Sequence, residues 1–198
     1  MSKKDFFKQF SNLKVSSLQK VEQVIQLQEI HDMFHEKVKV RERTEDNFNL
    51  WLEFQIFSDR ALSFFQRQKM QFRLAQEPLT WPALAAQLVQ TLNLPNRLNK
   101  IRQQILTNNM QRNDLLGFYN SMKRLVHSHV FLLKIVNFNR EPSNRFDPVT
   151  NKEVMEQFYK SIPNQFKQAM RTLKMSFLST TPGLDLSQFL SPQFAGFI

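Results

Sequence analysis

A chain of 198 residues with 41% apolar and 22% charged residues can bury a core without staples, and that composition excludes wholesale disorder. With 20 Phe, 3 Gly and no Cys, hairpin-rich β architecture, a disulfide framework, a thiolate metal site and a cysteine nucleophile are all excluded. The net charge of +10 is unevenly placed: ten Lys or Arg face ten Asp or Glu in residues 1–60, eleven face two in 61–140, and six face five in 141–198.

The opening residues MSKKDFFKQF break their apolar run with Asp5, Lys8 and Gln9, so they do not read as a signal peptide. The best apolar stretch, VFLLKIV at 130–136, falls short of the roughly 20 residues that span a bilayer. A soluble cytoplasmic protein is expected.

The first helical pattern runs from Ser17 to Arg43, with Leu18, Val21, Ile25, Ile30, Phe34 and Val38 on one face. Alternation in KVKVRER leaves a short strand as the alternative for its last turns. Thr44, followed by Glu45 and Asp46, signals the start of a second helix reaching about Ala75. Its stripe of Leu50, Trp51, Phe54, Phe57, Ala61, Phe64, Phe65 and Phe72 reads as core rather than as a base-stacking platform, each buried Phe contributing roughly 1.5–3 kcal/mol. Thr80 caps a third helix, with Pro82 in its first turn where the missing N–H is harmless, and this helix ends near Asn93.

A fourth helix spans Asn96 to Thr107. Asp114 caps a fifth reaching Phe138, with Leu115, Phe118, Tyr119, Met122, Val126, Val130, Leu133 and Val136 as its apolar face. The loop 139–149, NREPSNRFDPV, is where any domain boundary falls. Thr150 and Glu153 match a capping box that opens a helix through Tyr159. After Pro163 a last helix carries Phe166, Met170, Leu173 and Phe177. The sum is an all-α, single-domain bundle of six or seven helices over 1–179, followed by an irregular apolar tail, 180–198. That tail, with Phe189, Leu190, Phe194 and Phe197, packs back on the bundle or docks a partner.

Catalytic motifs are absent: three glycines leave no phosphate loop, dinucleotide loop or nucleophile elbow. The paired carboxylates Glu45-Asp46 and Glu153/Glu156 sit in first helical turns, where acids are expected for dipole reasons. His31 and His35, four apart, share a helix face, the spacing at which two imidazoles hold one ion. The zinc-protease pattern would need Glu at position 32, where Asp32 stands, and only Asp32 or Glu36 lies near enough in sequence to be a third ligand. His127 and His129, two apart, point to different sides. No enzyme, cofactor or metal is expected.

The basic segment 61–140 suits a polyanionic partner such as nucleic acid, an anionic membrane surface or an acidic protein, and equally a basic solvated face that serves solubility. Within it, residues 84–106 form two amphipathic helices joined at Asn93-Leu94-Pro95-Asn96. Leu84, Leu88 and Leu92 face inward from the first helix, and Leu98, Ile101 and Ile105 from the second. The opposite side of the second presents Asn96, Asn99, Lys100 and Gln103, side chains able to bond base edges, with Arg97 and Arg102 placed for phosphates. Arg67, Lys69, Arg73, Arg112, Lys123 and Arg124 complete a basic surface.

Over about 22 residues this stretch resembles the helix-turn-helix family, whose turn commonly reads Leu-Gly-Val/Leu-Ser/Pro. Leu92-Asn93-Leu94-Pro95 matches with Asn for Gly, and Asn also enters the left-handed region. Two departures stand out: Val89 occupies the usual small-residue position, and Leu98 and Ile101 fall one position early. The resemblance implies a second helix set in the major groove. The functional expectation is therefore a non-enzymatic nucleic-acid-binding protein, with a helical adaptor as the alternative.

Overall fold

The computed structural model describes residues 1–112, 114–165 and 167–168. The fold is all-α; among the described residues the only β feature is an isolated bridge between Val15 and Phe57. The expected last helix with Met170, Leu173 and Phe177, and the tail with Phe189, Leu190, Phe194 and Phe197, lie outside the described residues. Among the described residues the chain forms two compact units, residues 1–95 with 134–145, and residues 96–133 with 146–168.

The first unit contains α1 (Lys3–Lys8), α2 (Val21–Lys37), α3 (Glu45–Trp51), α4 (Asp59–Leu74), α5 (Trp81–Ala86) and α6 (Leu88–Thr91). Short polar side chains start three of these helices: Ser2, Thr44 and Thr80 each accept the backbone N–H three residues on, removing an orphan donor from each first turn. The centre is aromatic. Phe7 stacks on Trp51 at 4.7 Å and on Phe34 at 5.2 Å, and Phe6, Phe34, Phe48 and Trp81 are fully buried.

Three expectations are corrected here. The first helix ends at Lys37, because Val38 is extended (ψ 145°), and a 3-10 turn, Val40–Glu42, replaces both the expected helix end and the alternative strand. The expected long helix 44–75 is two helices separated by a π-helical turn, Leu52–Ile56, and by extended Phe57. Its backbone bonds pass to a distant segment: Val15 N donates to Ile56 O at 2.9 Å and Ser58 N to Val15 O at 3.1 Å. The wide turn resets the apolar phase, so Phe57 and Phe65 are buried and Phe54, expected in the core, is 75% exposed. The third helix breaks at Gln87 into α5 and α6.

The second unit is built from α7 (Leu94–Thr107), which enters it at Asn96, α8 (Leu115–Asn137), which leaves it after Leu133, and α9 (Asn151–Ser161). Asp114 caps α8, its carboxylate accepting the Gly117 N–H at 2.7 Å. The capping box of α9 is complete: Thr150 Oγ1 accepts from Glu153 N at 3.1 Å, and Glu153 Oε2 accepts from Thr150 N at 2.8 Å. Phe158 of α9 stacks on Phe118 of α8 at 4.9 Å.

The buried face of α8 departs from the expected stripe beyond Met122. Leu115, Met122, His129 and Val136 are buried, as are Phe118 and Leu132, whereas Val130 is 44% exposed. Burial therefore follows a seven-residue repeat. Steps of four from Met122 to Val126 and Val130 drift around the helix and out of that repeat. The 139–149 loop holds one 3-10 turn, Pro142–Asn144.

Candidate functional site

Burial of Leu98, Ile101 and Ile105 fixes how α7 is turned, and the helical period then sends Asn96, Arg97, Asn99, Lys100 and Gln103 outward; all five are exposed. Arg102 does not join them. Its Nη2 pairs with Glu153 Oε1 at 3.0 Å, and its Nη1 donates to the carbonyls of Asp147 and Pro148 at 3.2 and 3.4 Å. It ties α7 to the start of α9 rather than standing ready for phosphate. The Thr150 backbone N–H on Glu153 holds that carboxyl below its ordinary range, against an opposing effect of burial, and the Arg102 charge adds to the lowering. Burial pushes the neighbouring His129 imidazole down and the Arg102 charge pushes it further, against the opposing charge of Glu153.

At the C-terminal end of α7 a recess of about 380 Å³ is lined by Gln104, Thr107, Asn108, Asn109, Gln111, Ser121 and Leu125. Asn108 frames it: its amide donates to Ser121 Oγ at 3.4 Å, and its carbonyl accepts from Gln157 Nε2 at 2.8 Å and Ser161 Oγ at 2.9 Å. Helical spacing puts Lys100 on the same side of α7 as Gln104, and Arg124 next to Ser121 on α8. Exposed Arg112 directly follows Gln111. Lys123, also exposed, lies about half a turn around α8 from the recess. No acid occurs between Leu115 and Asn137.

Arg67, Lys69 and Arg73 are exposed on α4, which belongs to the first unit. Lys69 pairs with Glu53 Oε2 at 2.6 Å. The cations expected to form one surface over 61–140 are thus divided between two units.

The corner between α6 and α7 is tighter than Asn93-Leu94-Pro95-Asn96. Asn93 alone is left-handed (φ 48°), and α7 begins at Leu94 with Pro95 in its first turn. The change of unit falls at Pro95/Asn96, inside the stretch that resembles a helix-turn-helix.

Two further features of the first unit escape a reading by sequence proximity. Glu45 Oε1 meets His31 Nε2 at 2.7 Å and His35 Nε2 at 2.8 Å, and Glu45 Oε2 accepts the Trp81 backbone N–H at 2.9 Å. Burial raises the Glu45 carboxyl, but the hydrogen bond and charge of His31, the Trp81 N–H and His35 outweigh it, lowering the pKa from 4.5 to about 2. As a first-turn acid Glu45 looked accounted for, and ten residues separate it from His35. The second feature is a cleft of about 780 Å³ whose lining includes Phe7, Leu50, Trp51 and Phe54 with Lys3, Lys4 and Lys8. Leu50 and Phe54, both expected in the core stripe, stand exposed there.

No protein-family profile matches the chain, and comparison with curated proteins and with solved structures finds no match either. Among the described residues no helix is long and apolar enough to cross a membrane.

Proposed function

We propose that this protein binds nucleic acid without catalysing a reaction, through the second unit. The observation that carries the reading is the charge of residues 96–133: six Lys or Arg against the single acid Asp114, which is turned back onto the first turn of α8. Lys100, Arg112 and Arg124 are suited to phosphates, and the amides of Asn96, Asn99, Gln103 and Gln104 to base edges. An amide-lined recess of about 380 Å³ exceeds the size of a nucleobase, which favours a single strand with one base turned in.

Fluorescence anisotropy of the full chain with single-stranded and duplex oligonucleotides, at two salt concentrations, tests this. Single strands are expected to bind more tightly, with a log-log salt slope of roughly −0.7 for each phosphate neutralised. Joint replacement Lys100→Glu and Arg124→Glu is expected to abolish retention. No binding at low salt, or equal binding by the double variant, overturns the proposal.

A second reading, a protein-interaction module, is supported by the lysine-rimmed apolar cleft of the first unit. Its chemistry suits an acidic amphipathic helix whose apolar residues would cover Leu50 and Phe54. An acidic, leucine-bearing helical peptide is expected to bind the full chain and to be lost on joint Lys4→Glu, Lys8→Glu and Phe54→Ser replacement. Absence of binding by the unaltered chain ends this reading.

A further inference from the structure

His31 and His35 leave the same face of α2 with ring centroids 4.5 Å apart. The turn into α3 carries Glu45 across both, so that three donor atoms, two imidazole nitrogens and a carboxylate oxygen, lie within 4.8 Å of one another. Ligands of a tetrahedral zinc ion stand roughly 3.3 Å apart, given bond lengths of about 2.0–2.2 Å. The hydrogen-bonded separations of 2.7 and 2.8 Å are short of that by only about half an ångström.

The donors are also held. Glu45 is steadied by the Trp81 N–H on its other oxygen, and Trp81 is fixed in turn by its indole N–H on Gln28 Oε1 at 3.0 Å. His31 is buried, its ring edge-on to Phe48 at 4.9 Å. Its Nδ1 is buried with no hydrogen-bond partner, and Asp32 Oδ1 lies 3.9 Å away. A metal bound at Nε2 fixes the proton on Nδ1, and a carboxylate beside that nitrogen is the outer partner usual for ligating histidines. Asp32 is itself anchored by Lys134 Nζ and by Gln28 Nε2.

From this convergence we infer that His31, His35 and Glu45 bind a divalent transition-metal ion of the zinc class, with a fourth position open to solvent beside the half-exposed His35. Two imidazoles and one carboxylate select zinc, cobalt or nickel over magnesium and calcium, which take oxygen donors. Three protein ligands leave one position for water or an incoming group. The site is independent of the nucleic-acid surface of the second unit.

The test uses the full chain made without a polyhistidine tag and cleared of metal by a chelator. Titration with Co²⁺ is expected to give visible absorption bands of a four-coordinate ion at one equivalent, abolished by Zn²⁺, and Zn²⁺ is expected to raise the melting temperature. His35→Ala, at a partly exposed position, and Glu45→Gln should each weaken binding by more than the roughly 10–100-fold that loss of an outer partner costs. His127→Ala should change nothing. Absence of the Co²⁺ bands, their persistence in folded His35→Ala, or their loss in His127→Ala overturns the inference.

Discussion

The two units treat charge differently. In the first, sixteen Lys or Arg stand beside twelve Asp or Glu, and several of those acids have committed partners: Glu45 with two histidines, Asp32 with Lys134, Glu53 with Lys69. In the second, residues 96–133 and 146–198 hold eleven Lys or Arg beside five Asp or Glu, with six cations and one acid gathered in 96–133, and Arg102 borrows its carboxylate from Glu153, 51 residues on. Some charge in the first unit holds helices to one another, as in Lys69–Glu53 and Lys134–Asp32, although its cations are nearly all exposed. In the second, much of it is left facing out, where it contributes little to folding and is available for recognition.

The largest way to break this contrast is to remove an anchor of the first unit. Trp81 is fully buried and its indole bonds Gln28, so Trp81→Ala should destabilise by about 3–5 kcal/mol in denaturant unfolding. Acid comes next. Glu45, with a native pKa of about 2 against an ordinary 4.5, contributes stability that is complete above pH 4.5 and is lost as pH falls from 4.5 towards 2. That loss is on the order of 3 kcal/mol, and Glu45→Gln should remove most of it from the pH profile.

The second unit should soften earlier in the same titration. Folding lowers the pKa of His129 below 6.5, so the folded state takes up its proton less readily than the unfolded chain as pH falls below 6.5. Hydrogen exchange should report α8 opening before α2, and His129→Leu should abolish that early step. Thr150→Ala, which removes the capping box of α9, should cost about 1 kcal/mol. The smallest effect sharpens the contrast most: Lys100→Ala should move stability by less than about 0.5 kcal/mol while weakening oligonucleotide binding measurably. A stability loss as large as that of Thr150→Ala would place Lys100 among the structural cations with Arg102.

What was legible in the sequence was what depends on near neighbours. Thr44, Thr80, Asp114 and Thr150 act as caps because a side chain and an amide three residues on settle the matter locally. The outward face of α7 followed from Leu98, Ile101 and Ile105, which are buried as their spacing requires. The break at Phe57 was not legible, since it depends on Val15, 42 residues earlier, taking over the backbone groups on either side of it. Arg102 reads as a phosphate contact in the sequence, and only folding brings Glu153 to it. The position of His129 inside the α8 face was missed for a different reason: over six turns a step of four and a repeat of seven diverge, and only packing chooses between them.

Gly117 gives the charge map an unexpected dependence on shape. A Cβ at this position would stand 2.1 Å from Asp114 Oδ2 and 2.7 Å from its Cγ, so the carboxylate folds over the helix start only because the residue beneath it has no side chain. Gly117→Ala would force the Asp114 carboxylate to shift from this position. The seat of the single acid in residues 96–133 is thus set by a missing side chain as well as by the amide it caps.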